Sequence, residues 1–168
     1  MVSVKHGAPA LNWWGSTVPT TGPTGTATTW VGVALKFTAA GRVAGFRAYD
    51  STGSSLQTVT CLLIDDTLAA ATIKAVGIMR YGPGLTARWH QTWFRPWTRI
   101  TVGNTYRLAV LYVGGGLFRT NNSLNSGPVT HNNIQFVNSF QSTALDLAGA
   151  SLTLNTNANA VDLLFYPD

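Results

Sequence analysis

The sequence contains no glutamate at all, and charged residues make up only 10% of its 168 positions, against roughly 25% in an average globular protein. Coiled coils and helix bundles need Glu, Lys and Arg on their solvent faces, so both are excluded. The missing Glu also removes a common general acid and a common metal-binding carboxylate, which disfavours an enzyme. A single cysteine, Cys61, rules out an internal disulfide. It lies in the β-type run Gln57-Thr-Val-Thr-Cys-Leu-Leu-Ile64 and is expected to pack as a small apolar residue. Nothing around it supplies the electropositive, partly exposed setting of a reactive thiol. No stretch approaches the roughly 18 apolar residues of a membrane span. Met1-Val-Ser-Val-Lys-His-Gly7 has no charged region leading into an apolar segment, so no secretory signal is expected.

What is present is apolar and uncharged. Hydrophobic residues reach 45%, which excludes intrinsic disorder. Solubility must come from Thr, Ser, Asn, Gln and Gly, a mixture that favours strands and turns over helices. Lys and Arg number 11 against 6 Asp, a net charge of +5, and that field favours acidic partners, whether polymers or protein surfaces. The basic residues are dispersed singly among apolar ones rather than gathered in a stripe, so nucleic acid is not expected as a partner.

Residues 1–29 read as an extended N-terminal arm, punctuated by Pro9, Gly15, Pro19, Gly22 and Pro23. Trp13-Trp14 within it are large rings that must dock, on their own domain as an edge strand or on a neighbouring subunit. The β-patterned body occupies residues 30–168. Val31, Val33, Leu35 and Phe37 alternate with Trp30, Gly32, Ala34, Lys36 and Thr38, a half-buried strand. In Arg42–Asp50, Ala44, Phe46 and Ala48 share one face, with Arg47 and Tyr49 on the other. In Gln57–Ile64, Val59, Cys61 and Leu63 share a face. Asp66 could cap a helix through the Ala-rich Leu68–Val76, but Ile73, Val76 and the flanking pattern favour a strand over 67–78. Ala87–Trp97 and Tyr106–Val113 follow, the latter the most apolar and expected to be central. Asn121 to Asn133 reads as a long loop. Short runs at Ile134–Val137, Leu145–Leu147 and Leu152–Leu154 lead to a last strand, Val161–Tyr166. This spacing predicts an all-β chain, an antiparallel sandwich of jelly-roll type.

Four motifs in order carry a resemblance: Phe37…Gly41-Arg-Val-Ala-Gly-Phe-Arg-Ala-Tyr49, Trp89…Pro96, Val102-Gly-Asn-Thr-Tyr-Arg-Leu-Ala-Val110 and Val161-Asp-Leu-Leu-Phe-Tyr-Pro167. Together they resemble a jelly-roll domain of unknown function found in bacterial extracellular and adhesin-like proteins. Similar small sandwiches recur as decoration and tail-associated proteins of tailed bacteriophages. The sequence departs from that pattern at Asp65-Asp66, where the family has a Gly-Thr turn, and by an added residue between Pro96 and Gly103. The resemblance implies a fold and a surface role, without catalytic residues.

Chemistry-bearing constellations are scarce. Glycan hydrolysis needs two carboxylates about 5–9.5 Å apart. Asp65 and Asp66 are adjacent and point to opposite faces of a strand, while Asp50, Asp146 and Asp162 read as loop or edge carboxylates paired with Arg. His6, His90 and His131 lack metal-site spacing, and neither a cofactor nor a metal is expected. The richest segment is Arg88-Trp-His-Gln-Thr-Trp-Phe-Arg-Pro-Trp-Thr-Arg99. If it is extended throughout, Trp89, Gln91, Trp93, Arg95 and Trp97 project from one face. Trp89 and Trp93 could instead fill the core.

The leading expectation is a non-enzymatic structural protein of a phage particle, a capsid decoration or minor tail protein. It would be made in the host cytoplasm and reside on the virion surface. Trp13, Trp14, Trp97 and Arg95 would contact other virion subunits or copies in a homo-oligomer, with a trimer as one arrangement. The alternative is a carbohydrate-binding module that touches host-envelope glycans through Trp89, Gln91, Trp93 and Trp97.

Overall fold

Alternating apolar and polar residues become strands along most of the chain, and no helix occurs among the described residues. In the computed structural model these are residues 10–14, 23–24, 29–50, 57–67, 71–81, 88–112, 118–121, 130–142, 153–155, 158–159 and 161–168. The strands in chain order are β1 (Pro23–Thr24), β2 (Thr29–Phe37), β3 (Gly41–Asp50), β4 (Gln57–Asp65), β5 (Thr72–Tyr81), β6 (Arg88–Ile100) and β7 (Thr105–Tyr112). After them come β8 (Phe118–Asn121), β9 (Thr130–His131), β10 (Ile134–Ser142), β11 (Thr153–Asn155), β12 (Ala158–Asn159) and β13 (Val161–Pro167).

Two antiparallel sheets form a sandwich. The larger runs β11-β10-β2-β7-β4-β5, with β9 added to β10, and the smaller runs β13-β3-β6. The short strands β1, β8 and β12 pair in a third small sheet. The chain changes sheet between β2 and β3, β3 and β4, β5 and β6, β6 and β7, and again on reaching β13, so the core is sealed by long-range pairings. β7 lies between β2 and β4, the central place its apolar sequence predicts.

The core between the sheets takes the alternate residues read from the sequence. Val31, Val33, Leu35 and Phe37 meet Val59, Cys61, Leu63, Leu108 and Val110 from one sheet. Val43, Phe46, Phe94, Val161, Leu163 and Phe165 come from the other. Cys61 is fully buried there, and burial pushes its thiol pKa well up, which makes it inert. The segment that could have been a helix is strand from Thr72 onward, because Ala75, Gly77 and Met79 lie toward the core at strand spacing. A Cβ on Gly77 would lie 2.9 Å from the rings of both Phe46 and Phe94, so only glycine lets these rings reach β5.

The simple alternation fails at Ala44. Val43 pairs with Phe165 and Gly45 with Leu164, so Ala44 is an extra residue against β13. The bulge turns Val43 toward the core, where the sequence pattern alone had placed Ala44 beside Phe46 and Ala48. On its other side β3 meets a larger irregularity, since Val43 pairs with Thr98 but Gly45 with Trp93. Residues 94–97 of β6 loop out opposite one residue, around Pro96, which has no N–H for the ladder. Here β6 comes so close that a Cβ on Gly45 would collide with the Thr92 carbonyl oxygen.

β5 is the edge of the larger sheet, yet its outward carbonyls are engaged. Thr92 and Thr98 of β6 donate hydroxyl hydrogen bonds to Ile78 O at 3.3 Å and to Lys74 O at 3.4 Å. This edge is therefore partly closed against addition of a further strand.

Candidate functional site

Three surfaces decide what the protein can bind: the docked arm, the outer face of the smaller sheet and the outer face of the larger one.

The described segment of the arm around Leu11–Trp14 docks on its own domain. Leu11 pairs with Phe165 on the free edge of β13, exchanging hydrogen bonds of 2.7 and 2.8 Å. Trp13 and Trp14 are 3% and 1% exposed and join the main core. Trp13 stacks on Phe136 of β10 with centroids 4.7 Å apart, and Trp14 meets Trp89 edge-on at 5.5 Å. Their assignment to a neighbouring subunit is thus corrected: of the two dockings open to them, they take the one on their own sandwich. Burying two indoles internally stabilises the fold and leaves no ring for a partner.

A buried carboxylate holds this docking in register. Asp162, fully buried, accepts the backbone N–H of Trp13 at 3.0 Å, of Trp14 at 2.9 Å and of Leu163 at 2.8 Å. Arg47, directly opposite in the β3–β13 ladder, donates Nε at 3.2 Å and Nη2 at 2.9 Å to the same carboxylate. Burial pushes the Asp162 carboxyl pKa up, while Arg47 and the backbone donors pull it back down. The Arg47 guanidinium also contacts Asn12 Oδ1 and lies over the Trp89 ring, 4.3 Å from its centroid. The reading of Asp162 as an edge carboxylate paired with Arg agrees with its place on β13, an edge strand of the smaller sheet.

A hairpin within the expected long loop completes the clamp. Thr130-His131 pairs with Ile134-Gln135 across Asn132-Asn133, whose φ angles of 52° and 64° are those of a two-residue turn that asparagine tolerates. His131 Nδ1 donates to Trp13 O at 2.8 Å and Asn132 Nδ2 to Asn12 O at 3.0 Å. His131 thus has a structural partner. His6 and Asp146 lie outside the described residues.

The outer face of the smaller sheet carries the aromatic segment, divided in two. Trp89 is half-buried under Arg47 and against Trp14 and Tyr49, so it serves the arm's docking. Gln91 is exposed, opposite Arg47 in the ladder. Beyond it, Trp93 is 42% exposed. The Trp97 ring is near-parallel to Trp93 (22°, centroids 6.4 Å) and to Tyr166 of β13 (9°, 5.0 Å). The looped-out residues 94–97 make this possible: Phe94 turns into the core while Trp97 reaches Tyr166 on the outside. In the expected one-face row of Trp89, Gln91, Trp93, Arg95 and Trp97, the first three do share a face, in register with Tyr49, Arg47 and Gly45, but Trp89 is covered and the register shifts after Trp93. Tyr166 joins from another strand, and no local pattern could have announced it.

Arginines flank this row. Tyr166 pairs with Arg42 and Arg42 with Arg99, so two arginines are direct cross-strand partners. Arg99 is paired with Asp168 at 2.7 Å. Arg42, half-buried, and Arg95, exposed, have no ion-pair partner among the described residues.

The outer face of the larger sheet carries an apolar patch, although a wet face on an antiparallel sheet is normally polar. The register lines up Phe140, Gly32, Ala109, Leu62 and Val76 across five strands. A second row joins Ser142, Trp30, Leu111, Thr60 and Ile78. Trp30, Leu62, Ile64, Ala109 and Phe140 form a buried cluster of their own. At the β5 end the cover stops: Ile73, Val76 and Ile78 are 42%, 53% and 56% exposed.

The carboxylates among the described side chains are engaged by cations. Asp65 lies 4.0 Å from Lys74, Asp66 pairs with Arg107 at 2.7 Å, and Asp162 and Asp168 are paired with Arg47 and Arg99. Among the described residues no three His, Cys or Asp come together to hold a metal ion. Compared with protein-family models and with curated protein sequences, the chain has no match. The fold stands on the structure, and the wider resemblance on the order of its motifs alone.

Proposed function

We propose that the protein is a non-enzymatic structural protein of a bacteriophage particle, decorating the capsid or the tail on the virion surface. It assembles with its own copies and other virion subunits through the outer face of the larger sheet. The observation that carries this reading is the row of Ile73, Val76 and Ile78, exposed beside the buried apolar cluster of Trp30, Leu62, Ile64, Ala109 and Phe140. Contiguous apolar surface of this kind marks a contact site. Ion pairs engage the carboxylates of Asp65, Asp66, Asp162 and Asp168, and the phage setting rests on the resemblance alone. The partly closed β5 edge favours packing of face on face over strand addition.

The test is the double substitution Val76→Lys, Ile78→Lys. Both side chains point to solvent in the single chain, so thermal stability should change by only about 0.5 kcal/mol. Sedimentation equilibrium should give an oligomer for the wild type and the mass of one chain for the variant. A wild type that is monomeric at every concentration, or a variant that keeps the oligomer, would count against the proposal.

A second reading draws on a different observation: the exposed Trp93, beside Trp97 and Tyr166, offers aromatic surface to a sugar ring. The two functions use opposite sheets and are compatible.

A further inference from the structure

We infer that the outer face of the smaller sheet binds an acidic glycan, with Trp93 taking a sugar ring and Arg42 and Arg95 its carboxylates. The inference rests on the glycan reading of this face and adds the charge of the ligand and the residues that select it. Two independent features carry it.

The first is the ring row. Trp97 lies between Trp93 and Tyr166, so its faces are turned to its neighbours. Trp93, at the end of the row, keeps its outer side open to solvent at 42% exposure. An aromatic face is electron-rich. The C–H bonds on one side of a pyranose carry a slight positive charge and meet such a face without desolvating the sugar hydroxyls.

The second is unbalanced charge. Arg42 and Arg99 are direct cross-strand neighbours, an arrangement that costs stability when like charges face each other. One carboxylate, Asp168, serves Arg99, leaving Arg42 between Tyr166 and Arg99 with no counter-ion among the described residues. Arg95 adds another exposed cation from the looped-out segment, and β6 carries three arginines and no acid. A ligand carboxylate at Arg42 would form a charge-assisted, two-pronged hydrogen bond and relieve the repulsion. Rings for the sugar and cations for its acid group thus occur on one face. A neutral glycan would leave the arginines unused, and an acidic peptide would leave the rings unused.

Binding to three polymers separates these ligands. Polygalacturonate supplies ring and charge, its fully methyl-esterified form keeps the ring without the charge, and polyglutamate has charge without a sugar. The full chain should bind polygalacturonate, and the other two at least about tenfold more weakly. Trp93→Ala and Arg42→Gln should each weaken polygalacturonate binding by about tenfold or more. Arg80→Gln, an exposed control on β5, should not, and melting temperatures will verify that all three variants fold. Equal binding of the methyl ester would overturn the acidic specificity and leave the glycan reading standing. Equal binding of polyglutamate, or no binding of either polysaccharide, would overturn both.

Discussion

Replacing Asp162 with alanine is expected to destabilise the protein by about 3–5 kcal/mol, a fall in melting temperature of roughly 6–20 °C for a chain of this size. Asp162 is fully buried and accepts hydrogen bonds from three backbone amides and from two nitrogens of Arg47. Alanine would leave the Arg47 guanidinium without its carboxylate in a site only 9% exposed, along with the amides of Trp13 and Trp14. An uncompensated buried charge dominates the loss. The double substitution Arg47→Met, Asp162→Leu should therefore be less damaging than Asp162→Ala, because it removes both charges together. Thermal melts of the three proteins check this. If Asp162→Ala melts within a degree or two of the wild type, the carboxylate does not hold the arm.

Trp14→Ala is expected to cost about 3–5 kcal/mol, the usual range for truncating a large buried aromatic. The side chain is 1% exposed, touches Trp13 and Trp89 edge-on, and belongs to the main core. Urea denaturation should show a lower midpoint with an unchanged slope, as expected when stability changes and the unfolded state does not. If the chain assembles through the larger sheet as proposed, the oligomer should persist where the variant is folded. Unchanged stability with loss of the oligomer would mean instead that Trp14 docks on a neighbour.

The body of the fold was legible because its signal is local. Period-2 alternation in β2 and β4 and the apolar run of β7 each identify a strand, and burial of Val31, Val33, Val59 and Cys61 follows directly. What escaped the sequence is set by pairing. The bulge at Ala44 and the loop of residues 94–97 are register events between strands, invisible within either one. Tyr166 reaches Trp97 only because β13 and β6 flank β3. The Arg47–Asp162 pair had a weak signal, since a charged residue inside Val161-Asp-Leu-Leu-Phe165 demands a partner, but 115 positions separate the two. The Asn132-Asn133 turn was readable in principle, because consecutive asparagines suit a tight hairpin. Polar composition had merged it into a loop.

The arm changes most on moving from sequence to structure. Two adjacent tryptophans in a Pro- and Gly-punctuated segment look adhesive, and they are, toward their own chain. The assembly proposed above therefore uses the sheet face where Ile73, Val76 and Ile78 remain uncovered. Side-chain footprinting by hydroxyl radicals, performed across a concentration series, tests this proposal most directly. Trp13 and Trp14 should be protected equally at every concentration, while Val76 and Ile78 become protected as the oligomer forms. Protection that rises at Trp13 and Trp14 while Val76 and Ile78 stay reactive throughout would contradict it.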